Sequence, residues 1–294
     1  MPNLKEVRNR IVSVTSTQQI TKAMKMVSAA KLRKAQDAIV QMRPYSAKLQ
    51  EILQTVSSGL DLSEGGAYAA QRELKHVLLV VVTSNRGLCG AFNANVIKRA
   101  MQLAKNDYKD CMVSVLCVGK KANDYFRKTH YKIVGNDLPK RLHELFDALT
   151  FDNVAPVAEM VMKAYVDSQF DRVEIIYNQF KNAAVQMVTV EQFLPVKPVT
   201  SAVGKAVRID YIFEPDKASI VRDLIPKSLK VQFYKTLLDS FASEHGARMT
   251  AMHKATDNAA SLIRDLKLSY NKARQAAITN EILEIVGGAE ALKG

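Results

Sequence analysis

The chain has no tryptophan and, over 294 residues, only 12 glycines, 8 prolines and 3 cysteines. Scarce glycine and proline exclude an architecture built on many turns and favour long uninterrupted helices. The cysteines, Cys89, Cys111 and Cys117, are odd in number and lack paired spacing, which excludes a disulfide framework and a zinc site. Cys111 and Cys117 lie in an apolar run and read as core residues. No apolar run is long enough to span a bilayer, and no signal peptide precedes the fold. The expectation is a soluble protein in a reducing compartment, reaching any membrane only through partners. Acidic residues are scarce at one end: residues 1–50 hold Glu6 and Asp37 against Lys5, Arg8, Arg10, Lys22, Lys25, Lys31, Arg33, Lys34, Arg43 and Lys48. Two readings stay open, a solvated helix face and a surface for an acidic partner. Tyr45 is the single aromatic residue among these charges, which weakens a single-stranded nucleic-acid reading.

What the chain does have is helical periodicity at both ends. From Lys227 to Val286 there is no proline and one glycine, Gly246. These roughly 60 residues would span about 90 Å as a helix. Phe241, Met249, Met252, Ala259, Leu262, Leu266, Tyr270, Ala273 and Ala277 step forward mostly in threes, fours and sevens. Such a stripe needs a partner along its length. Residues 3–58 supply one, with Leu4, Val7, Ile11 and Val14, then Ile20, Met24 and Val27, and Pro44 as the one interruption. Met24, Met26, Met249 and Met252 are open to two readings, core of the helix pair or adaptable surface for sliding contacts.

Between the helical ends the pattern changes. Ser57-Ser58-Gly59 and Ser63-Glu64-Gly65-Gly66 are loop chemistry. Lys75–Thr83 is a valine-rich run of the kind found in a central strand covered on both faces. Ser84–Ala91 is a turn, Asn93 a candidate cap for a helix to about Asn106, and Cys111–Val118 a second buried strand stopped by Gly119. Lys120–Thr129 reads as helix, Tyr131–Val134 as a short strand and Asn153–Phe170 as helix. Arg172–Phe180 and Gln186–Phe193 form a hairpin around Lys181–Ala184, and Val207–Phe213 adds a strand. Pro226 is expected to separate a short helix, Lys217–Leu224, from the long one. The fold class is α/β: an antiparallel coiled coil of long N- and C-terminal helices with an inserted Rossmann-like, mostly parallel sheet. The divisions are 1–58 for the first helix, 75–213 for the α/β domain and 217–294 for the last helix; the loops at 59–74 and 197–206 are not assigned.

A catalytic constellation is not legible. Ser84-Asn85-Arg86-Gly87-Leu88-Cys89-Gly90 sits where phosphates bind in nucleotide-binding sheets, yet it matches neither GxGxxG nor a P-loop. It reads as a tight strand-to-helix turn, or as an exposed loop presenting Arg86 to a partner. Cys89 beside Arg86 is either an activated thiol or an inert buried one. His76, His130, His143, His245 and His253 have no ligand spacing on one face. No catalytic residue, cofactor or metal is expected.

Several stretches go beyond pattern: Ile20-Thr21-Lys22-Ala23-Met24-Lys25-Met26-Val27 with Ala29–Lys34, Tyr270–Ile282 running on to Glu284–Ala289, Ser84–Gly90, and Ala255-Thr256-Asp257-Asn258-Ala259. Together they closely resemble the gamma subunit of the F-type ATP synthase, over essentially the whole chain. The resemblance implies a rotor: a central shaft coupling ion-driven rotation of a membrane ring to ATP synthesis or hydrolysis at beta subunits, which carry the catalysis. It implies alpha, beta and epsilon subunits and the c-subunit ring as partners, with no nucleic acid and no membrane span. It implies coupling or partner-contact roles for Met24, Arg248, Arg274, Gln275, Thr279 and Glu284, with Arg274 and Gln275 resembling a pair that hydrogen-bonds a beta-subunit loop. Without the resemblance these six are ordinary coiled-coil surface. The chain departs from the chloroplast form by lacking an inserted cysteine pair, so thiol regulation is not expected. It starts Met1-Pro2 just before the helix, which favours a bacterial protein, peripheral on the cytoplasmic side of the inner membrane. The alternative is a basic coiled-coil scaffold or nucleic-acid-binding protein with a degenerate Rossmann domain.

Overall fold

The computed structural model describes residues 4–57, 67–131, 133, 138–139, 142–196 and 217–291. The chain divides into two units, residues 1–28 with 248–294, and residues 29–247. Helices α1 (Leu4–Ser57) and α5 (Lys217–Ala291) each contribute to both.

In the larger unit a four-stranded sheet holds β1 (His76–Val82), β2 (Met112–Val118), β3 (Arg172–Phe180) and β4 (Gln186–Leu194). The order is β2-β1-β3-β4, with β1 parallel to β2 and β3 and β4 antiparallel on β3, as the sequence pattern predicts. Val77 to Val82 are each 0 % exposed. Alternate residues face two cores. Leu78, Val80 and Val82 join α4 (Phe151–Val166) and the Ile225, Leu229, Phe233 and Leu237 row of α5. Val77, Leu79 and Val81 join α2 (Phe92–Gln102) and α3 (Lys120–Phe126). Thr150 caps α4, its hydroxyl accepting from the Asn153 amide at 3.4 Å.

Several expectations are corrected. Pro226 does not divide two helices; α5 runs unbroken through it. Ile225, Leu229, Phe233 and Leu237 recur every turn on the sheet core, and their burial outweighs the roughly 3 kcal/mol penalty of an interior proline. Asn93 does not cap α2. Its side-chain oxygen accepts from the Ser84 amide at 2.9 Å, and its Nδ2 donates to Ser84 Oγ at 2.8 Å. The α2 pattern does not stay α-helical to Asn106: Leu103–Asp107 widens into a π turn, closed by Tyr108 N–H on Leu103 O at 2.9 Å. Buried Tyr108 then donates its hydroxyl to Glu174 at 2.5 Å. Tyr131 and Ile133 are not in a strand, although Val115 N–H still reaches Tyr131 O at 2.9 Å. The helices after Gly119 and after Thr150 end earlier than expected, at Phe126 and Val166. The Val207–Phe213 strand lies outside the described residues.

Two glycines permit close backbone approaches. In α5, a β-carbon on Gly246 would sit 3.2 Å from Ala183 Cα, in the β3–β4 turn. At Gly119, with φ of 109°, it would fall 2.1 Å from the Thr83 carbonyl oxygen. Neither the angle nor the space at Gly119 suits a side chain. Gly119→Ala is therefore expected to abolish soluble expression or cost more than about 3 kcal/mol, since strain and a backbone clash add. Gly90, with φ of 61° and nothing near the added carbon, sets the comparison. Gly90→Ala should cost only about 1–2 kcal/mol, the left-handed penalty alone. Thermal melts of both variants against the parent chain check the contrast.

Candidate coupling surface

The smaller unit is a helix pair whose register is written in its burial. On α1 the shielded positions recur as Leu4, Ile11, Gln18 and Lys25, and as Val7, Val14, Thr21 and Ser28. On α5 they recur as Met252, Ala259, Leu266 and Ala273, and as Thr256, Ile263, Tyr270 and Ala277. Seven-residue recurrence on both helices is the signature of a left-handed two-helix seam. Thr21 Oγ1 and Thr256 Oγ1 meet across it at 2.8 Å. The seam is apolar through Val14 and then polar on α1. Ile20 and Val27, read as seam residues from the sequence, are 60 % and 58 % exposed; Thr21 and Ser28 take the inward places. On α5, Leu262 is exposed and Ile263 takes its place.

Counting outward in opposite directions from the threonine pair brings Leu4 level with Ala273. Beyond that level, residues 278–289 of α5 are exposed on every side. Ile278, Ile282, Leu283, Ile285 and Val286 are all large, apolar and exposed. At 100° per residue these five fall within one arc of about 160°, with Asn280, Glu281 and Glu284 on the other side. A broad exposed apolar face of this kind is a surface for a partner. These residues were not singled out from the sequence, although their spacing on one broad helical face was the available signal.

The six expected contact residues fall into two groups. Met24 is half-buried on α1 and Arg248 buried on α5. Arg274, Gln275, Thr279 and Glu284 are exposed near the far end of α5. From Arg248 to Arg274 is 26 residues, about 39 Å of helix. The structure therefore does not bring the six together. Thr279 turns its hydroxyl onto Gln275 O at 2.9 Å, the common back-bond of a helical threonine. The side chains of Arg274 and Gln275 bond to no described residue.

The turn after β1 spends its polar groups on the start of α3, the helix after β2. The first amides of α3 are already taken: Ala122 N–H donates to Thr83 Oγ1 at 2.9 Å, Lys121 N–H to Ser84 O at 3.2 Å, and Lys120 N–H to Asn85 Oδ1 at 3.1 Å. A helix start whose donors are spent offers an anion little. Cys89 is 2 % exposed and receives the Asn93 amide at 3.2 Å, so it is a packed thiol of the turn. Arg86 is exposed, as the loop reading requires. Among the described residues no group of His, Cys, Asp and Glu is arranged to hold a metal, and no helix is long and apolar enough to cross a membrane.

A family model described as ATP synthase matches residues 3–292. Proteins named ATP synthase gamma chain match from end to end: 62 % identity with that of Flavobacterium johnsoniae and 60 % with that of Christiangramia forsetii, each over 100 % of both chains. This chain belongs to the ATP synthase gamma-chain family. The fold has the same company. A rotor chain of the Euglena gracilis mitochondrial ATP synthase aligns with a TM-score of 0.61 at 24 % identity, over 94 % of this chain and 98 % of that one. A central-stalk chain from Tetrahymena thermophila aligns at 0.58 and 24 %, over 80 % and 99 %.

The thiols of the larger unit supply a test. Burial pushes the Cys117 thiol up to about 12, so at pH 8 it is almost entirely protonated and unreactive. Iodoacetamide at pH 8 should leave Cys117 and buried Cys89 unmodified in the folded chain and alkylate both in denaturant. Partly exposed Cys111 should react first. Mass-spectrometric mapping showing early alkylation of Cys117 would contradict this packing.

Proposed function

We propose that the chain is the central rotor shaft of a bacterial F-type ATP synthase, coupling ion-driven rotation of a membrane ring to ATP synthesis or hydrolysis on other subunits. On this reading catalysis resides in beta subunits, and the chain contacts alpha, beta and epsilon subunits and the c ring. It works peripherally, on the cytoplasmic side of the inner membrane. The observation that carries the reading is the last stretch of α5, exposed around its whole circumference and carrying a broad apolar face, in a chain of the gamma family. Apolar contact is non-directional, so a surrounding ring can take up this face without a fixed partner atom. Family membership over the full length removes the case for a nucleic-acid-binding scaffold.

Arg274 and Gln275 supply directional contact beside that end. A guanidinium offers a rigid fork of donors, and an amide both donates and accepts. Adjacent residues diverge by about 100° around a helix, so the two suit separate acceptors of a ring. Each hydrogen bond to the charged group is worth about 1.5–3 kcal/mol where it forms. Arg274→Ala with Gln275→Ala should slow ATP hydrolysis and synthesis at least several-fold. Folding should be unharmed, since both side chains are exposed and alanine is the best helix former. Wild-type rates from a fully assembled double variant would remove the pair from the mechanism.

Met24 tests the other group. Met24→Lys or Met24→Glu puts a charge on a half-shielded face of α1 where the parent has a pliable thioether. The expected outcome is hydrolysis largely kept with fewer ions pumped per ATP. Assays of ion pumping and ATPase in membrane vesicles decide it, and normal pumping in both variants would end the assignment.

A further inference from the structure

On the outer side of the sheet, α2 and α3 leave a trough between them, about 760 Å³ in volume. Ile97 and Met101, one helical turn apart, form its apolar floor, with Tyr125 of α3 on the opposite wall at 44 % exposure. Lys98, Lys105 and Lys121 rim it against one carboxylate, Asp124. None of the three lysines has an ion-pair partner among the described residues. The wall from Asn93 to Asn106 includes the π turn, a distortion frequent at functional positions. At one end Lys121 Cε comes within 4.0 Å of the point where a Gly87 side chain would begin. Next to it Leu88 is held at φ of 63° and is 64 % exposed, an apolar side chain kept outward in a backbone region that bulky residues avoid.

We propose that this trough is the docking site for an acidic amphipathic helix from another subunit of the assembled synthase, a proposal that rests on the rotor reading above. An apolar floor with unpaired cations along the rim matches a helix carrying apolar residues at i and i+4 and carboxylates on its flanks. The trough runs along about 20 Å of α2 and its π turn, room for some 13 residues of partner helix at 1.5 Å each. A small anion fits less well, because the α3 amides that would converge on it are spent on Thr83, Ser84 and Asn85. A bilayer surface is flat and does not reach a concave floor.

The test uses the assembled complex, with p-benzoylphenylalanine placed at Tyr125. Subunit composition is measured first: a complex that purifies without this chain overturns the rotor reading, and the docking proposal with it. With the chain present, irradiation should give one dominant cross-link to another subunit, mapping by mass spectrometry to a helix rich in Asp and Glu. Lys98→Glu, Lys105→Glu and Lys121→Glu together should lower its yield at least tenfold. If that triple variant does not assemble, the single cross-linker in the otherwise native complex still decides. No intersubunit cross-link, a lipid adduct, a peptide without carboxylates, or a yield indifferent to charge reversal would each overturn the docking proposal and leave the rotor reading standing.

Discussion

Two helices that turn every 3.6 residues stay in contact only if their inward positions recur every seven, and the smaller unit obeys that constraint on both strands of the pair. It fixes which side chains are shielded and which face outward. It places Met24 at the seam's edge and Arg274, Gln275, Thr279 and Glu284 outward, while Arg248, though buried, lies off both recurrences. The seam also changes character along its length. Apolar at Leu4–Val14, on α1 it becomes Gln18, Thr21, Lys25 and Ser28. Polar residues at seam positions weaken a pair while fixing its register. Thr21 and Thr256 share two hydroxyl protons among three close oxygen contacts, on each other and on Gln18 O and Met252 O. One of those contacts lacks a proton at any instant, which makes the junction a weak glue and a strict ruler.

The sheet unit shows how the turn after β1 spends its polar groups on a neighbouring helix start. In nucleotide-binding sheets phosphate sits on unspent helix amides. Here Thr83, Ser84 and Asn85 turn back and fill the amides of α3, and Gly119 makes room for the Thr83 carbonyl. Asn93, Ser84 and Cys89 then bond one another inside the turn. The polar groups that would recognise a ligand have been turned inward as structural ties, and the exposed remainder is Arg86 and Leu88.

The sheet, its strand directions and the two long helices were legible in the sequence because burial on both faces leaves an unbroken apolar run and burial on one face leaves a period. The misreadings came where local signals compete with packing. Ile20 and Val27 are apolar, and a count of apolar residues places them inward; the structure gives the inward places to Thr21 and Ser28, because the heptad set by Leu4–Val14 continues without regard to polarity. Pro226 reads as a stop, yet the Ile225–Leu237 row holds the helix against the sheet. Asn93 reads as a cap, and its side chain is drawn away by Ser84. The coupling residues were legible only through family resemblance: an exposed arginine and glutamine on a helix look like any others. The apolar face of Ile278–Val286 was readable in principle, since its residues share an arc of about 160°.

On the rotor reading, the end of α5 must satisfy two demands that ordinarily conflict. A helix held by specific hydrogen bonds resists turning, whereas one held by nothing carries no information about angle. The broad apolar face of Ile278–Val286 meets the first demand, because dispersion and water exclusion need no fixed partner atom as the helix turns. Arg274 and Gln275 meet the second, because each can bond only where an acceptor stands. A few such bonds, worth about 1.5–3 kcal/mol each when charged, change a rate tenfold or more without trapping the shaft. A larger set of directional contacts would deepen every stopping point and slow every departure, so a broad apolar face with sparse polar contacts is the composition that turning with defined stops requires.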